Sequence, residues 1–227
     1  MSKPAVRGAV FLDRDGTIID DVHYIAKPEL VVLRPGAAEA IATLNRARIP
    51  VIVVTNQSGI ARGLVSEADY DRVAARMADL LARYNARVDA TYVCPHHPEF
   101  GGECECRKPG TLLFRRAAAQ HGVDLTRSTY IGDRWRDVAP GIALGGRPML
   151  IVDESTRADE RERAEQAGVE IVGSLREAVG LWEGSAFAKK AFGEAVHKHY
   201  LNYGQLEQGL FDKVVTDYEK RRMFERG

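Results

Sequence analysis

The sequence is short of cysteine, of unbalanced charge and of long apolar runs, and each shortage excludes something. Its 227 residues carry three cysteines, Cys94, Cys104 and Cys106, all within thirteen positions. An odd, tightly grouped set argues against a disulfide framework and points to a metal. Lys plus Arg number 32 and Asp plus Glu number 32, a formal net charge of zero, so no overall field favours nucleic acid or an anionic membrane. No apolar stretch approaches the ~18 residues of a membrane span. The amino end has neither the basic region nor the apolar core of a secretory signal. A cytoplasmic location is therefore expected, with no membrane or nucleic-acid partner. There is no internal repeat and no low-complexity segment. What remains is the composition of an ordinary soluble domain, long enough for one core and a small appendage.

The apolar pattern alternates between strands and helices. Short β-branched or apolar runs at Val10-Phe11-Leu12, Val51 to Val54, Val88 to Val93, Thr129 to Ile131, Pro148 to Val152 and Val169 to Val172 read as six strands. Between them, helical spacing runs from Pro35 toward Pro50, from a Ser66 cap to about Tyr84, and from Thr111 to His121 with Gly122 as its stop. A weaker helix follows from Asp137 to Leu144, a charged one between Ser155 and Gln166, and a last near Ser174 to Trp182. This alternation implies an α/β fold, a Rossmann-like parallel sheet with helices on both faces, over residues 1–183. From residue 184 to 227 the composition shifts: seven of the seventeen Phe, Trp and Tyr residues fall there, among scattered glycines. A helical appendage that packs on the domain is expected, self-association through it is an alternative, and a monomer is the simplest state. His197 and His199 are expected at its surface rather than as ligands.

Sheets of this kind bind ligands beyond the carboxyl ends of their strands, and that is where the unusual residues stand. The first strand runs into Asp13-Arg14-Asp15-Gly16-Thr17, and a tight turn at Gly16 can bring both acids into one pocket. Asp13 is a candidate nucleophile for a phosphoryl group, and Asp15 a candidate to protonate the leaving alcohol and then activate water. Asp133, after Gly132, can join Asp13 on Mg²⁺, a hard ion that prefers oxygen ligands. Thr55 and Asn56 offer a hydroxyl and an amide to phosphoryl oxygens, and Lys108 offers a balancing charge. Each has a plainer reading on its own, Asp133 as a helix cap and Thr55 and Asn56 as loop caps. Arg14, His23, Tyr24, Gln57, Ser58 and Arg62 lie on loops near the expected mouth, within reach of substrate, while Asp20, Asp21 and Glu99 are expected to face solvent.

The second cluster is Cys94-Pro95-His96-His97-Pro98 followed by Cys104-Glu105-Cys106-Arg107-Lys108-Pro109. Cys94, His96, Cys104 and Cys106 make a closed C-x-H…C-x-C set for a structural Zn²⁺, with His97 an alternative to His96. Reduced cysteines in an exposed loop are the bland alternative. The loop leads directly into Arg107 and Lys108, so a metal there would position both cations.

The combination of Asp13-Arg14-Asp15-Gly16-Thr17, Thr55-Asn56, Lys108, and Gly132-Asp133 with Asp137 resembles the haloacid dehalogenase superfamily of phosphatases. The resemblance covers about residues 6–182, with four separated motifs in family order. It implies Asp13 as nucleophile, Asp15 as acid/base, and Mg²⁺ held by Asp13, Asp133 and the main-chain carbonyl of Asp15. Neither gap between motifs is long enough for a large cap domain, so a capless site roofed by loops is expected. The zinc loop ending in Cys106-Arg107-Lys108-Pro109 is similar to that of two groups in the superfamily, the heptose bisphosphate 7-phosphatases and the histidinol-phosphate phosphatases. The first implies a small phosphorylated sugar as substrate, on the route to nucleotide-activated heptose, with Arg107 suited to grip a second phosphate. A nucleic-acid 3′-phosphatase would need a basic stripe, and a non-catalytic zinc module would have little use for Asp13, Asp15, Lys108 and Asp133.

Overall fold

The computed structural model describes residues 7–154, 156–183 and 185. The expected appendage of 184–227 lies, but for Ser185, outside the described residues. Six strands form one sheet: β1 (Val10–Leu12), β2 (Val51–Asn56), β3 (Ala90–Cys94), β4 (Thr129–Gly132), β5 (Arg147–Ile151) and β6 (Glu170–Val172). Their order is β3-β2-β1-β4-β5-β6, and every pairing is parallel. β1 is therefore central, with Val10 beside Val51 on one side and Thr129 on the other.

Alternation along the strands sorts the core into two faces. Val10 and Leu12 of β1, with Val51 and Val53 of β2, pack against α1 (Ala37–Arg46), α2 (Glu67–Ala82) and α6 (Leu175–Glu183) through Ile41, Leu44, Met77, Leu81 and Val179. Phe11, Ile52 and Val54 point the other way, onto Leu113 and Phe114 of α3 (Leu112–His121) and onto Tyr130. Leu150 packs with Val138 of α4 (Trp135–Ala143) and Ala164 of α5 (Ala158–Gln166). Strands buried on both faces read as continuous apolar runs, which is why β1 and β2 carry no polar alternation.

Over the described residues the expected strands and helices are all present, with shifted ends. α4 starts two residues before the expected Asp137, because Asp137 occupies the third helical position and its Oδ2 accepts from the Arg134 N–H at 3.0 Å. Pro140 inside that helix weakens its sequence signal. Ser66 caps α2 with a full capping box to Asp69, and Gly122 ends α3 at φ 62°.

Two loops stand over the carboxyl ends of β1 and β2. The first, after β1, is closed at its base where Asp20 N–H bonds to Val32 and Arg34 N–H to Ile18. At its tip His23 and Tyr24 are left-handed, with φ of 49° and 51°. The second is the cysteine loop after β3, tied back to the β2 loop where Gln57 N–H bonds to the Cys94 carbonyl at 2.7 Å. Among the described residues no inserted domain covers the site.

Candidate active site

β1 ends by delivering Asp13, whose N–H bonds to the Ile131 carbonyl of β4 at 3.0 Å. One strand over, β4 ends in Gly132 and delivers Asp133. Asp13, Asp133 and Asp137 each place a carboxylate oxygen within 4.8 Å of the others. Two glycines allow the approach: a Cβ at Gly16 (φ 78°) would strike the Asp133 carboxylate, and one at Gly132 would strike the Asp137 side chain. Lys108 sits among these acids, its Nζ at 2.7 Å from both Asp13 Oδ1 and Asp137 Oδ1. It is 3% exposed. Burial works to lower its pKa, but the charges of Asp13 and Asp137 outweigh it and hold Lys108 above the ordinary lysine value.

Asn56 fixes where Lys108 stands. Its Oδ1 accepts from the Lys108 N–H at 3.0 Å and its Nδ2 donates to the Lys108 carbonyl at 3.1 Å. The end of β2 thus holds the main chain of the segment that leaves the cysteine loop.

Asp133 is pushed up to about 8, by burial first and then by the charges of Asp137 and Asp13. Its Oδ1 is buried without a hydrogen-bond partner, while Oδ2 faces Arg134 Nε at 3.1 Å. A crowded, under-partnered carboxylate beside a second carboxylate is what a divalent cation with oxygen preference satisfies, so the set fits Mg²⁺. Asp137 already has both oxygens engaged, by Lys108 and by the Arg134 N–H, and serves as the counter-charge of Lys108.

These groups floor a cleft of about 350 Å³ lined by Asp13, Asp15, Asn56, Arg107, Asp133 and Arg136, among others. Of the residues the sequence singled out, Arg14, His23, Tyr24, Gln57 and Ser58 also reach it. Thr55 lies beneath, 1% exposed, with Oγ1 accepting from Gln57 Nε2 at 2.8 Å. Asp21 is exposed, as expected, and also lines the cleft, where its Oδ2 lies 3.9 Å from Arg134 Nη2. Arg62 stays at the rim, its guanidinium 5.8 Å from the Tyr24 ring, 5.2 Å from the Phe100 ring and 3.1 Å from His97 Nε2. Arg134, Arg136 and Arg157 line the cleft as well, and no motif marks them, since arginines beside acids read as solvated helix starts.

The cysteine loop brings Cys94, His96, Cys104 and Cys106 together. Cys94 Sγ lies 3.6 Å from Cys104 Sγ and 3.2 Å from Cys106 Sγ, and His96 Nδ1 lies 3.1 Å from Cys106 Sγ. His97 is not part of the set; its ring faces Arg62 and Phe100. Arg107 hangs from the same loop through a bond to the His96 carbonyl at 3.2 Å.

Against known proteins, a family model described as HAD-hydrolase-like matches residues 105–178. A D-glycero-beta-D-manno-heptose-1,7-bisphosphate 7-phosphatase of Rhodopseudomonas palustris is 43% identical over 61% of this chain and 80% of its own. The protein of that name from Escherichia coli K12 is 33% identical over 75% of this chain and 93% of its own. Among solved structures, the D,D-heptose 1,7-bisphosphate phosphatase of B. bronchiseptica complexed with magnesium and phosphate superposes with a TM-score of 0.68 at 32% identity, over 77% of this chain and 97% of that one. The fold, the convergent acids and these relatives lead to one statement: this chain is a phosphatase and belongs to the heptose-1,7-bisphosphate 7-phosphatase family of the haloacid dehalogenase-like hydrolases.

Proposed function

We propose that the protein removes the 7-phosphate of D-glycero-beta-D-manno-heptose 1,7-bisphosphate through an aspartyl-phosphate on Asp13. The observation that carries this reading is the meeting of Asp13 and Asp133 around one point with Lys108 at 2.7 Å from Asp13. Asp13 Oδ attacks phosphorus, forming a P–O bond as the bond to the sugar C7 oxygen breaks. Asp15 gives its proton to that leaving oxygen, and then takes one from the water that cleaves the acyl phosphate and restores Asp13. Lys108, dry and charged, offsets the negative charge gathered by phosphate and carboxylates. Asp13, Asp133 and the main-chain carbonyl of Asp15 would hold Mg²⁺, which supplies charge neutralisation at the phosphoryl oxygens. Asn56, Arg107, His23 and Tyr24 are placed to meet the rest of the substrate, Arg107 as the fork for the second phosphate.

Cys94, His96, Cys104 and Cys106 are the ligands of a structural zinc in this reading. Tetrahedral Zn–S and Zn–N bonds put neighbouring ligand atoms ~3.3–3.8 Å apart, and the thiol and imidazole separations of 3.1–3.8 Å support it. Unmetallated, the three thiols disagree: burial drives Cys94 up to about 12, while hydrogen bonds from Cys106 and its neighbours outweigh burial and bring Cys104 down to about 7. A cation would make them alike. We place the enzyme in the cytoplasm as a monomer, acting on a small sugar phosphate.

The test is a substrate panel with Mg²⁺: both anomers of the heptose bisphosphate beside L-histidinol phosphate. The β-anomer of the heptose should give the highest kcat/KM, and Asp13→Asn should lose turnover by ~10⁴-fold or more while keeping its zinc. A preference for L-histidinol phosphate would overturn the substrate, and an active Asp13→Asn would overturn the mechanism.

A further inference from the structure

Arg14, expected at the mouth as a contact for substrate, commits its Nε and Nη2 to Asp15 and Gln57 instead. The residue is 1% exposed. Its Nε and Nη2 donate to Asp15 Oδ1 at 3.1 and 2.9 Å, and Nη2 also reaches Asp15 Oδ2 and Gln57 Oε1, each at 3.0 Å. Nη1 is buried with no partner, and the Tyr70 ring covers the guanidinium at 5.3 Å. Gln57 is used at both ends, since its Nε2 donates to Asp15 Oδ2 at 2.7 Å and to Thr55 Oγ1 at 2.8 Å. Both Asp15 oxygens are therefore gripped from behind, while the carboxyl keeps 23% exposure on its cleft side.

We propose that Arg14, fixed by Gln57 and Tyr70, is a positioning residue for the acid/base Asp15, holding its carboxyl in the one orientation that meets the leaving oxygen. The inference rests on the acid/base reading of Asp15 given above. A guanidinium fork fixes a carboxylate in plane and direction, which an ammonium cannot do. It also holds the carboxylate form that remains once the proton has passed to the leaving alkoxide, so its hold tightens as the C–O–P bond opens. Tyr70 is not among the residues that line the cleft, and its ring meets the Arg14 guanidinium.

Leaving-group chemistry separates this role from a merely structural one, because an acidic phenol departs without a proton and an alcohol does not. The experiment compares kcat/KM for a sugar phosphate and for p-nitrophenyl phosphate, with Mg²⁺, in wild type, Asp15→Asn, Arg14→Lys and Tyr70→Leu. Arg14→Lys should lose ~10²-fold on the sugar phosphate and less than ~10-fold on the aryl ester. Tyr70→Leu, a milder change in case Arg14→Lys folds poorly, should lose in the same unequal ratio, by less. Equal losses on both esters in the two variants, or no loss, would overturn the proposal. Asp15→Asn that fails to discriminate the esters would instead overturn the acid/base reading, and with it this one.

Discussion

Lys108 has no water to fall back on. Its ammonium is enclosed by Asp13 and Asp137, so Lys108→Met would leave the two acids without the cation they share, with Arg136 Nε at 4.0 Å from Asp137 Oδ1 as the remaining counter-charge. Removing one partner of such a buried set costs about 3–5 kcal/mol, to be read by denaturant unfolding of the metal-free protein, and kcat should fall by ~10²-fold or more. Asp133 carries a pH signature. Its pKa is raised from 3.8 to about 8, so its contribution to metal-free stability is complete below the ordinary carboxylate range and is lost as pH rises through about 8. Mg²⁺ needs the ionised form. The thermal shift given by Mg²⁺ should therefore be larger at about pH 9 than at about pH 6. A shift independent of pH would remove Asp133 from the ligand set. At this scale the sequence was partly legible: two acids one residue apart after an apolar run foretold Asp13 and Asp15. The inward turn of Arg14 was not, because apolar periodicity carries no information about where a paired charge goes. Nor was the bond pair between Asn56 and the main chain of Lys108, which joins positions 52 apart.

Among the elements, the cysteine loop bears most on the chemistry. The stretch from Pro95 to Glu105 contributes no residue to the buried core, and the metal set is what would give it a fixed shape. Cys104→Ser should reduce zinc from about one per chain to none, open the loop to proteolysis between Pro95 and Arg107, and lower kcat because Lys108 follows four residues later. A variant that keeps its metal and its rate would refute the structural-zinc reading. The helices were legible where they had punctuation, a Ser66 cap or a Gly122 stop. They were displaced where the cap was unconventional, as in α4, which follows Arg134. Asp137 belongs to that displaced turn, which is why its place beside Lys108 was not foreseen beyond the motif spacing.

In the molecule as a whole, the α/β alternation and the six-stranded sheet were legible because each strand is a short apolar run between turn residues. The strand order was not, since parallel pairing leaves no local mark. The side chain that joins the layers is Phe11, 1% exposed, stacked on Tyr130 at 5.1 Å and edge-on to Phe114 at 5.3 Å. Phe11→Ala should cost about 3–5 kcal/mol in denaturant unfolding, with a lower activity per mole only insofar as folded protein is lost.

The central position of β1 has a consequence during synthesis. Val10 finds its second neighbour in Thr129, so the ribosome must add about 120 more residues before that edge can be closed, roughly 6–24 s at usual elongation rates. Once β2 has been made, β1 has that neighbour alone until Thr129 arrives, one flank open to whatever sticks to strand edges. A trigger-factor-like holdase would find its best target in unfinished chains shorter than β4, and stalled translation before Thr129 should yield aggregates rather than a smaller soluble domain.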